Sequence, residues 1–418
     1  MNITIHRGAN QIGGCITEIS TDGAKILIDL GSNLPNGQVR ELTKKEVSSI
    51  TKDADAIFYT HYHGDHVGLF HLVPKSVPQY IGTGAKEVML CKYQTLAKHT
   101  DLEKEVEAIK RFNTYKVYTD IIIKKKIKIR PYYVSHSAFD AYMFLIKVEG
   151  KTILHTGDFR THGYLGKGLE YILREVQFNV DFLIIEGTTL GRKNEKMICE
   201  YDIKENTFKH LRSFRNKYTF ALCSSTDIDR LSSFYNACKD AGRVFICDSY
   251  QKEMLGIFSR HTYSRGFYFN DLFTLNDYTS PNVYRYLRKK GFFMLIRPSM
   301  KTIVEKMLKT YNNYPAYLIY SMWQGYYNGT PEQVNPQIVE IRQLFEDHIL
   351  DGTRDGFHTS GHANVETIQK VCRLLNPRIG IIPIHKEASS SFTSLEIAKE
   401  YRIIESSIEI ENIRVSIM

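Results

Sequence analysis

The sequence has no stretch of about 18 consecutive apolar residues, the least that carries a helix across a bilayer, so no membrane span or membrane partner is expected. Its first residues, Met1-Asn2-Ile3-Thr4-Ile5-His6-Arg7-Gly8, alternate like a strand and lack the basic and then apolar regions of a secretory signal. It has no Cys-x-x-Cys pair. Its seven cysteines lie far apart and are odd in number, which argues against a disulfide framework and for buried free thiols in a reduced, cytoplasmic compartment. Repeats, low-complexity tracts and an obvious flexible linker are also missing. What is present is apolar material, 43% of 418 residues, enough for one large core and a second, smaller one.

The formal charge is +9, and residues 201–348 hold 20 Lys and Arg against 14 Asp and Glu, so six of the nine excess positive charges sit there. A basic segment of this kind suits a polyanionic substrate, because neutralising successive phosphates gives affinity independent of sequence.

Up to residue 200, β-branched runs alternate with polar loops, and strands are expected at 25–31, 56–60, 128–134, 141–148, 152–155 and 180–186. Between them, Gly84 to Phe112 carries apolar residues near helical spacing and reads as one helix, and Lys124 to Lys128 reads as a solvated edge strand. From 201 the rhythm becomes helix and strand in turn. A helix over 225–240 opened by Ser225 or Thr226, strands at 243–247, 292–296 and 316–320, and helices near 300–310 and 333–349 suggest a compact α/β domain on a small parallel sheet. A helix near 364–375 and a strand at 379–385 follow. The expected division is a first domain over 1–200 and 349–418, with 201–348 inserted.

The densest chemical signal is His61-Tyr62-His63-Gly64-Asp65-His66, which follows an apolar strand. Four ligand-type side chains within six residues are too many for one ion, and two borderline metals satisfy them. His136 and Asp158 stand in further turns beside strands, and Gly157 frees the backbone so that Asp158 can point toward the same place. His and Asp ligation without cysteine suits zinc or manganese, with zinc the better match.

These residues resemble the metallo-β-lactamase fold, whose signature is His-x-His-x-Asp-His followed by a separate His and then an Asp. The resemblance extends to the β-CASP nucleic-acid-processing subgroup, and to ribonuclease J-like enzymes within it. An acidic residue ends the strand Leu183-Ile184-Ile185-Glu186, a histidine lies in His358-Thr359-Ser360-Gly361-His362, and a last histidine closes Ile382-Pro383-Ile384-His385. Singly, Glu186 reads as a strand-end carboxylate, His362 as a helix-cap residue and His385 as a core histidine; their joint order reverses those readings.

The resemblance implies an αββα metallo-β-lactamase sandwich with an inserted α/β β-CASP domain. It also implies that His61, His63 and His136 hold one metal and Asp65, His66 and His385 the other, with Asp158 bridging them and Asp29 supporting the ligands from behind. The implied reaction is hydrolysis of single-stranded RNA, as a 5′-3′ exonuclease, an endonuclease or both, by a hydroxide bridging the metals, with His362, oriented by Glu186, serving the leaving oxygen. Ser224, Ser225, His358, Ser360 and Gly361 are the expected phosphate-binding residues. The inserted domain would roof the site, and Trp323 or Tyr326 could stack on bases, although ordinary packing is the commoner role for such residues.

Three rivals remain. A DNA nuclease of the superfamily would keep the metal run but typically has an apolar residue where His385 stands. A thioester or lactam hydrolase would need neither His362 nor so large an insertion, and a catalytically dead scaffold would have lost ligands. The sequence departs from the family in ending at Met418 without the C-terminal domain of ribonuclease J, which leaves a homo-oligomer open. It also departs in placing Lys386 where a Gly commonly follows the last His, where a long side chain could narrow the site or bind phosphate, and in Glu186-Gly187-Thr188 for the usual acidic-Ser-Thr.

Overall fold

The computed structural model describes residues 1–34, 39–175, 179–192, 197–262, 264–274, 280–410 and 412–418. The chain divides into two compact units, 1–196 with 361–418, and 197–360.

In the first unit one sheet runs, neighbour by neighbour, through Ile408–Ile410, Ile413–Ile417, Asn2–Arg7, Ile16–Thr21, Ala24–Ile28, Ala56–Phe58, Gln79–Gly82 and Asn113–Tyr115. The other runs through Gly380–Ile384, Phe182–Glu186, Lys151–His155, Tyr142–Val148, Ile127–Tyr133 and Ile121–Ile123. Their facing sides share one apolar core, in which Ile26, Ile28 and Phe58 of the first sheet join Phe144, Ile153, Phe182, Ile184 and Ile382 of the second. Strand alternation turns the equally buried Leu27 and Ile57 to the opposite side of the first sheet. The outer side of the second sheet is covered by Leu169 and Leu173 of the helix Gly166–Glu175 and by Ile368, Val371, Cys372 and Leu375 of the helix Val365–Leu375. The result is the αββα sandwich.

The strands Ala24–Ile28 and Ala56–Phe58 run parallel, as do Lys151–His155, Phe182–Glu186 and Gly380–Ile384. Their carboxyl ends lead directly into Asp29, the 61–66 run, Asp158, Glu186 and His385. Parallel pairing in each sheet thus gathers chemistry from distant sequence at adjoining ends of the two sheets.

The second unit is a wholly parallel sheet in the order Phe273–Thr274, Val244–Cys247, Phe292–Ile296, Tyr218–Cys223, Ala316–Ser321, Ile349–Asp351. The inserted α/β domain is therefore present, with one change of boundary. The expected return to the first domain at 349 is wrong, because Ile349–Asp351 pairs with Ala316–Ser321 and carries 349–360 into the second unit.

Local corrections have local causes. The single helix expected over 84–112 is two, Thr83–Leu96 and Glu103–Lys110, interrupted at His99-Thr100-Asp101, where the Thr100 hydroxyl bonds back to the Leu96 carbonyl. The lysine stretch is a hairpin turn: Lys124 and Lys125 both have positive φ, and the edge strand is Ile121–Ile123 before them. The helix expected from Ser225 starts at Ile228, capped by the Asp227 carboxylate on the Arg230 N–H. Among the described residues, no helix is long and apolar enough to cross a membrane.

Candidate metal centre

The site is built by loops that each have a physical reason for their path. Asp29 follows its strand at φ 62°, a left-handed position that Asp tolerates, and is fully buried. Its Oδ1 accepts the Thr60 N–H at 2.7 Å and its Oδ2 meets His66 Nδ1 at 2.8 Å, so it fixes both the entry and the end of the 61–66 run. Gly31 lets that run approach closely, since a Cβ there would lie 1.8 Å from the Asp65 carbonyl oxygen. Gly157 turns at φ 55°, with the space of its missing Cβ occupied by Thr60, and its N–H donates to His155 Nδ1 at 3.2 Å. The turn delivers Asp158 to the histidines.

Among the described residues four overlapping groups of ligand-type atoms lie within 4.8 Å of one another, and two of them unite the expected ligands: His61, His63 and His136; and Asp65, His66, Asp158 and His385. Asp158 lies between them. Its Oδ2 is 3.1 Å from His66 Nε2 and 3.9 Å from the Nε2 atoms of His61, His136 and His385. Asp65 Oδ2 is 3.1 Å from His385 Nε2.

The hydrogen bonds behind the rings assign the tautomers. His66 Nδ1–H donates to Asp29, His136 Nδ1–H to the Gly361 carbonyl at 2.7 Å, and His385 Nδ1–H to the Thr188 hydroxyl at 2.7 Å. Each arrangement turns Nε2 inward. The His61 Nε2, His66 Nε2 and Asp158 Oδ2 atoms are buried without a hydrogen bond.

Burial pushes the His61 and His136 imidazoles well below the ordinary range and His63 to about 4, so these three are neutral donors. Burial would raise Asp158 and Asp65. The neighbouring histidines outweigh it and hold both carboxyls below their ordinary range. Three neutral imidazoles and two ionised carboxylates around buried atoms that lack a hydrogen bond are a donor set that fits divalent cations; against burial, the Asp158 and Asp29 charges raise His66 well above its ordinary range, so a cation there would displace its Nε2 proton.

A second device adjoins them. His362 Nδ1 is 2.9 Å from Glu186 Oε2 and 3.6 Å from Asp158 Oδ2. Burial acts against protonation of His362, but the Glu186 and Asp158 charges prevail and raise it to about 9. Glu186 also accepts the Phe159 N–H at 2.8 Å and the Thr188 hydroxyl at 2.6 Å.

Residues 16–170 match the metallo-β-lactamase superfamily model. The chain is 27% identical over 192 residues to an RNase J-like protein of Methanocaldococcus jannaschii, covering 44% of this chain and 42% of the relative. It is 28% identical over 201 residues to a probable RNase of the same organism, covering 45% of each. The matches thus span less than half the length of these curated relatives. A solved structure of a protein of unknown function from Enterococcus faecalis shares the fold, with a TM-score of 0.71 over 98% of both chains at 17% identity.

The other expected residues fall differently. Gly361 contributes its carbonyl to His136 rather than a bare loop, and a Cβ there would meet Ser137 Oγ at 2.6 Å. Lys386 neither narrows the site nor is poised for phosphate: it is buried, with Nζ on the Ser390 carbonyl at 2.8 Å and 3.6 Å from Glu405.

Ser224, Ser225, His358 and Ser360 belong to the second unit. Ser224 and Ser225 precede the helix cap instead of opening the helix, and Ser225 gives its carbonyl to the Gln251 side chain at 3.0 Å. His358 Nδ1 takes a hydrogen bond at 3.0 Å from Arg230, a buried guanidinium that also binds Glu200. Trp323 and Tyr326 are both exposed and meet edge to face at 5.4 Å.

Sequence reasoning missed Thr60, Thr188 and Cys15. Thr60 donates its hydroxyl to Asp29 and faces His61 Nδ1 at 3.1 Å, and Thr188 links Glu186 to His385. Cys15, kept a neutral thiol by burial, lies with its Sγ within 4.8 Å of the His66 and His385 donor atoms. Adjacency to a motif residue was a usable signal for the two threonines; nothing local marked Cys15.

Proposed function

We propose that this chain is a two-metal ribonuclease that hydrolyses phosphodiester bonds of single-stranded RNA. In this reading His61, His63 and His136 hold one ion, Asp65, His66 and His385 the other, and Asp158 both, with zinc the best match to the donor set and manganese the alternative. Two divalent ions so placed would lower the pKa of water to the neutral range and absorb charge on the phosphoryl oxygens. The observation that carries the reading beyond a general metallo-hydrolase is the His362–Glu186 pair, 2.9 Å apart and adjoining Asp158. Lactam and thioester cleavage have no need of a charged imidazole in addition to two ions, whereas a dianionic phosphorane and its departing alkoxide do. Glu186 holds His362 Nδ1–H and favours the imidazolium; His362 then supplies the Nε2 proton to the leaving 3′ oxygen. Supporting it further are the ribonuclease names of the relatives and the basic 201–348 segment.

The test is incubation of metal-loaded protein with 5′-phosphorylated and 5′-hydroxyl single-stranded RNA beside matched DNA, with Asp65→Ala plus His66→Ala as the control. RNA cleavage lost in the control supports the reading, and the products distinguish stepwise 5′ release from internal cuts. Intact RNA beside cleaved DNA, thioester or lactam overturns it.

A further inference from the structure

The second unit carries a surface that the proposed chemistry leaves unused. In its parallel sheet Tyr218 pairs with Phe292 and Ala316, and Val244 with Phe292, so the residues just before these strands line one end of the sheet. Those residues are Lys217, Arg243, Gly291 with the preceding helix Pro281–Lys290, and Tyr314. Ser224 and Ser225 follow Tyr218–Cys223 at the other end, roughly 20 Å away along a six-residue strand.

The amino end is cationic to an unusual degree. The segments 206–226, 281–304 and 306–331 contain no Asp or Glu. Arg215, Arg288, Lys289 and Lys290 are exposed, and among the described residues none of these four, nor Lys217 or Arg243, meets a carboxylate within 4.0 Å. Elsewhere exposed cations such as Lys110, Arg174, Arg260 and Arg354 do.

The partners at this end are aromatic rings and carbonyls. Lys217 Nζ stands 5.1 Å from the centre of Phe214 and 4.7 Å from that of Tyr314, and the Arg288 guanidinium 5.4 Å from that of Tyr284. Phe214, 68% exposed, meets Tyr314 edge to face at 5.4 Å, and Tyr286 is 47% exposed. Basic residues in the last turn of Pro281–Lys290 complement the helix dipole, which accounts for some of the charge but not for an exposed phenylalanine beside it. Unpaired cations interleaved with exposed rings are what a flexible polyanion with stackable faces requires.

We propose that the amino end of this sheet is a second binding surface for single-stranded RNA, engaging phosphates through Lys217, Arg288, Lys289 and Lys290 and a base on Phe214. That the occupant is RNA rests on the ribonuclease reading. An acidic protein would use the charges without needing the exposed ring.

The experiment measures binding of a fluorescent 20-nucleotide single-stranded RNA over a salt series in chelator, comparing wild type, Phe214→Ala and the triple variant Arg288→Gln, Lys289→Gln, Lys290→Gln. The triple variant is expected to bind more weakly and to flatten the slope of log K against log salt by about two, at roughly 0.7 per phosphate contact. Phe214→Ala is expected to lose roughly five- to a hundredfold in affinity with the slope unchanged. Hydrolysis of bis(p-nitrophenyl) phosphate by the triple variant should equal that of wild type, which reports an intact fold and metal centre. Equal RNA affinity and slope in wild type and triple variant would overturn the proposal, as would patch-dependent binding of polyglutamate in place of RNA. RNA that is bound through the patch but never cut would overturn the ribonuclease reading and leave this one standing.

Discussion

At the scale of the residue, the centre depends on what stands behind its inward-facing atoms. His66, His136 and His385 each surrender an Nδ1–H to Asp29, Gly361 or Thr188 and so present Nε2 inward. Thr188 is the easiest of these to test: Thr188→Val keeps the shape and removes the hydroxyl that joins Glu186 to His385. Metal affinity, measured by chelator competition, should weaken by roughly 10- to 100-fold while circular dichroism is unchanged; an unchanged affinity would mean that His385 is oriented by its backbone alone. His362→Ala should separate chemistry from metal binding. Its kcat on RNA is expected to fall by about 10²- to 10⁴-fold with metal content per chain equal to wild type, and loss of metal together with activity would instead make His362 a ligand.

At the scale of the element, strand ends and tight turns position the chemistry. Gly157→Ala puts a Cβ 2.9 Å from Thr60 Cβ at φ 55°, where a side chain is also strained. The variant should lose about 1–3 kcal/mol of stability and bind metal more weakly, read by thermal unfolding and chelator competition. On the first sheet, Glu18 is clamped between His6 and Lys25 of the flanking strands, at 3.0 Å from each. Burial raises the Glu18 carboxyl, but the His6 and Lys25 hydrogen bonds prevail and lower it from 4.5 to about 2. A carboxyl depressed on folding stabilises the native state above its ordinary pKa, and that contribution is lost as pH falls from 4.5 toward 2. Stability of Glu18→Gln should therefore fall less steeply than wild type over that window, as acid titration of unfolding will show. Parallel slopes for the two proteins would mean that the clamp contributes nothing.

At the scale of the molecule, the proposed ligands come from loops spread between positions 61 and 385, so metal binding there would be coupled to folding of the first unit. Chelation should lower the unfolding midpoint, the loss being about 4 kcal/mol where free metal had stood near 1,000-fold above its Kd. Hydrogen exchange should place the lost protection in Lys151–His155, Phe182–Glu186 and Gly380–Ile384, with the sheet of 197–360 less affected; uniform loss across both units would refute this.

The sequence by itself determined the strands that carry the centre, because β-branched runs ending in a polar residue leave little freedom in period or boundary. It also marked His61, His63, Asp65 and His66, whose density within one loop has no bland explanation. It did not determine which chain segments would meet. Thr188 beside His385, Gly361 behind His136 and Cys15 beside His66 are pairings across 197, 225 and 51 positions, created by strand order and parallel register rather than by any local pattern. Tertiary structure alone decided that Lys386 turns to Ser390 and Glu405, and that Ile349–Asp351 closes the second sheet. In each case the local sequence permits several partners, and the one chosen is set by which complementary group the fold brings within reach of each buried polar group.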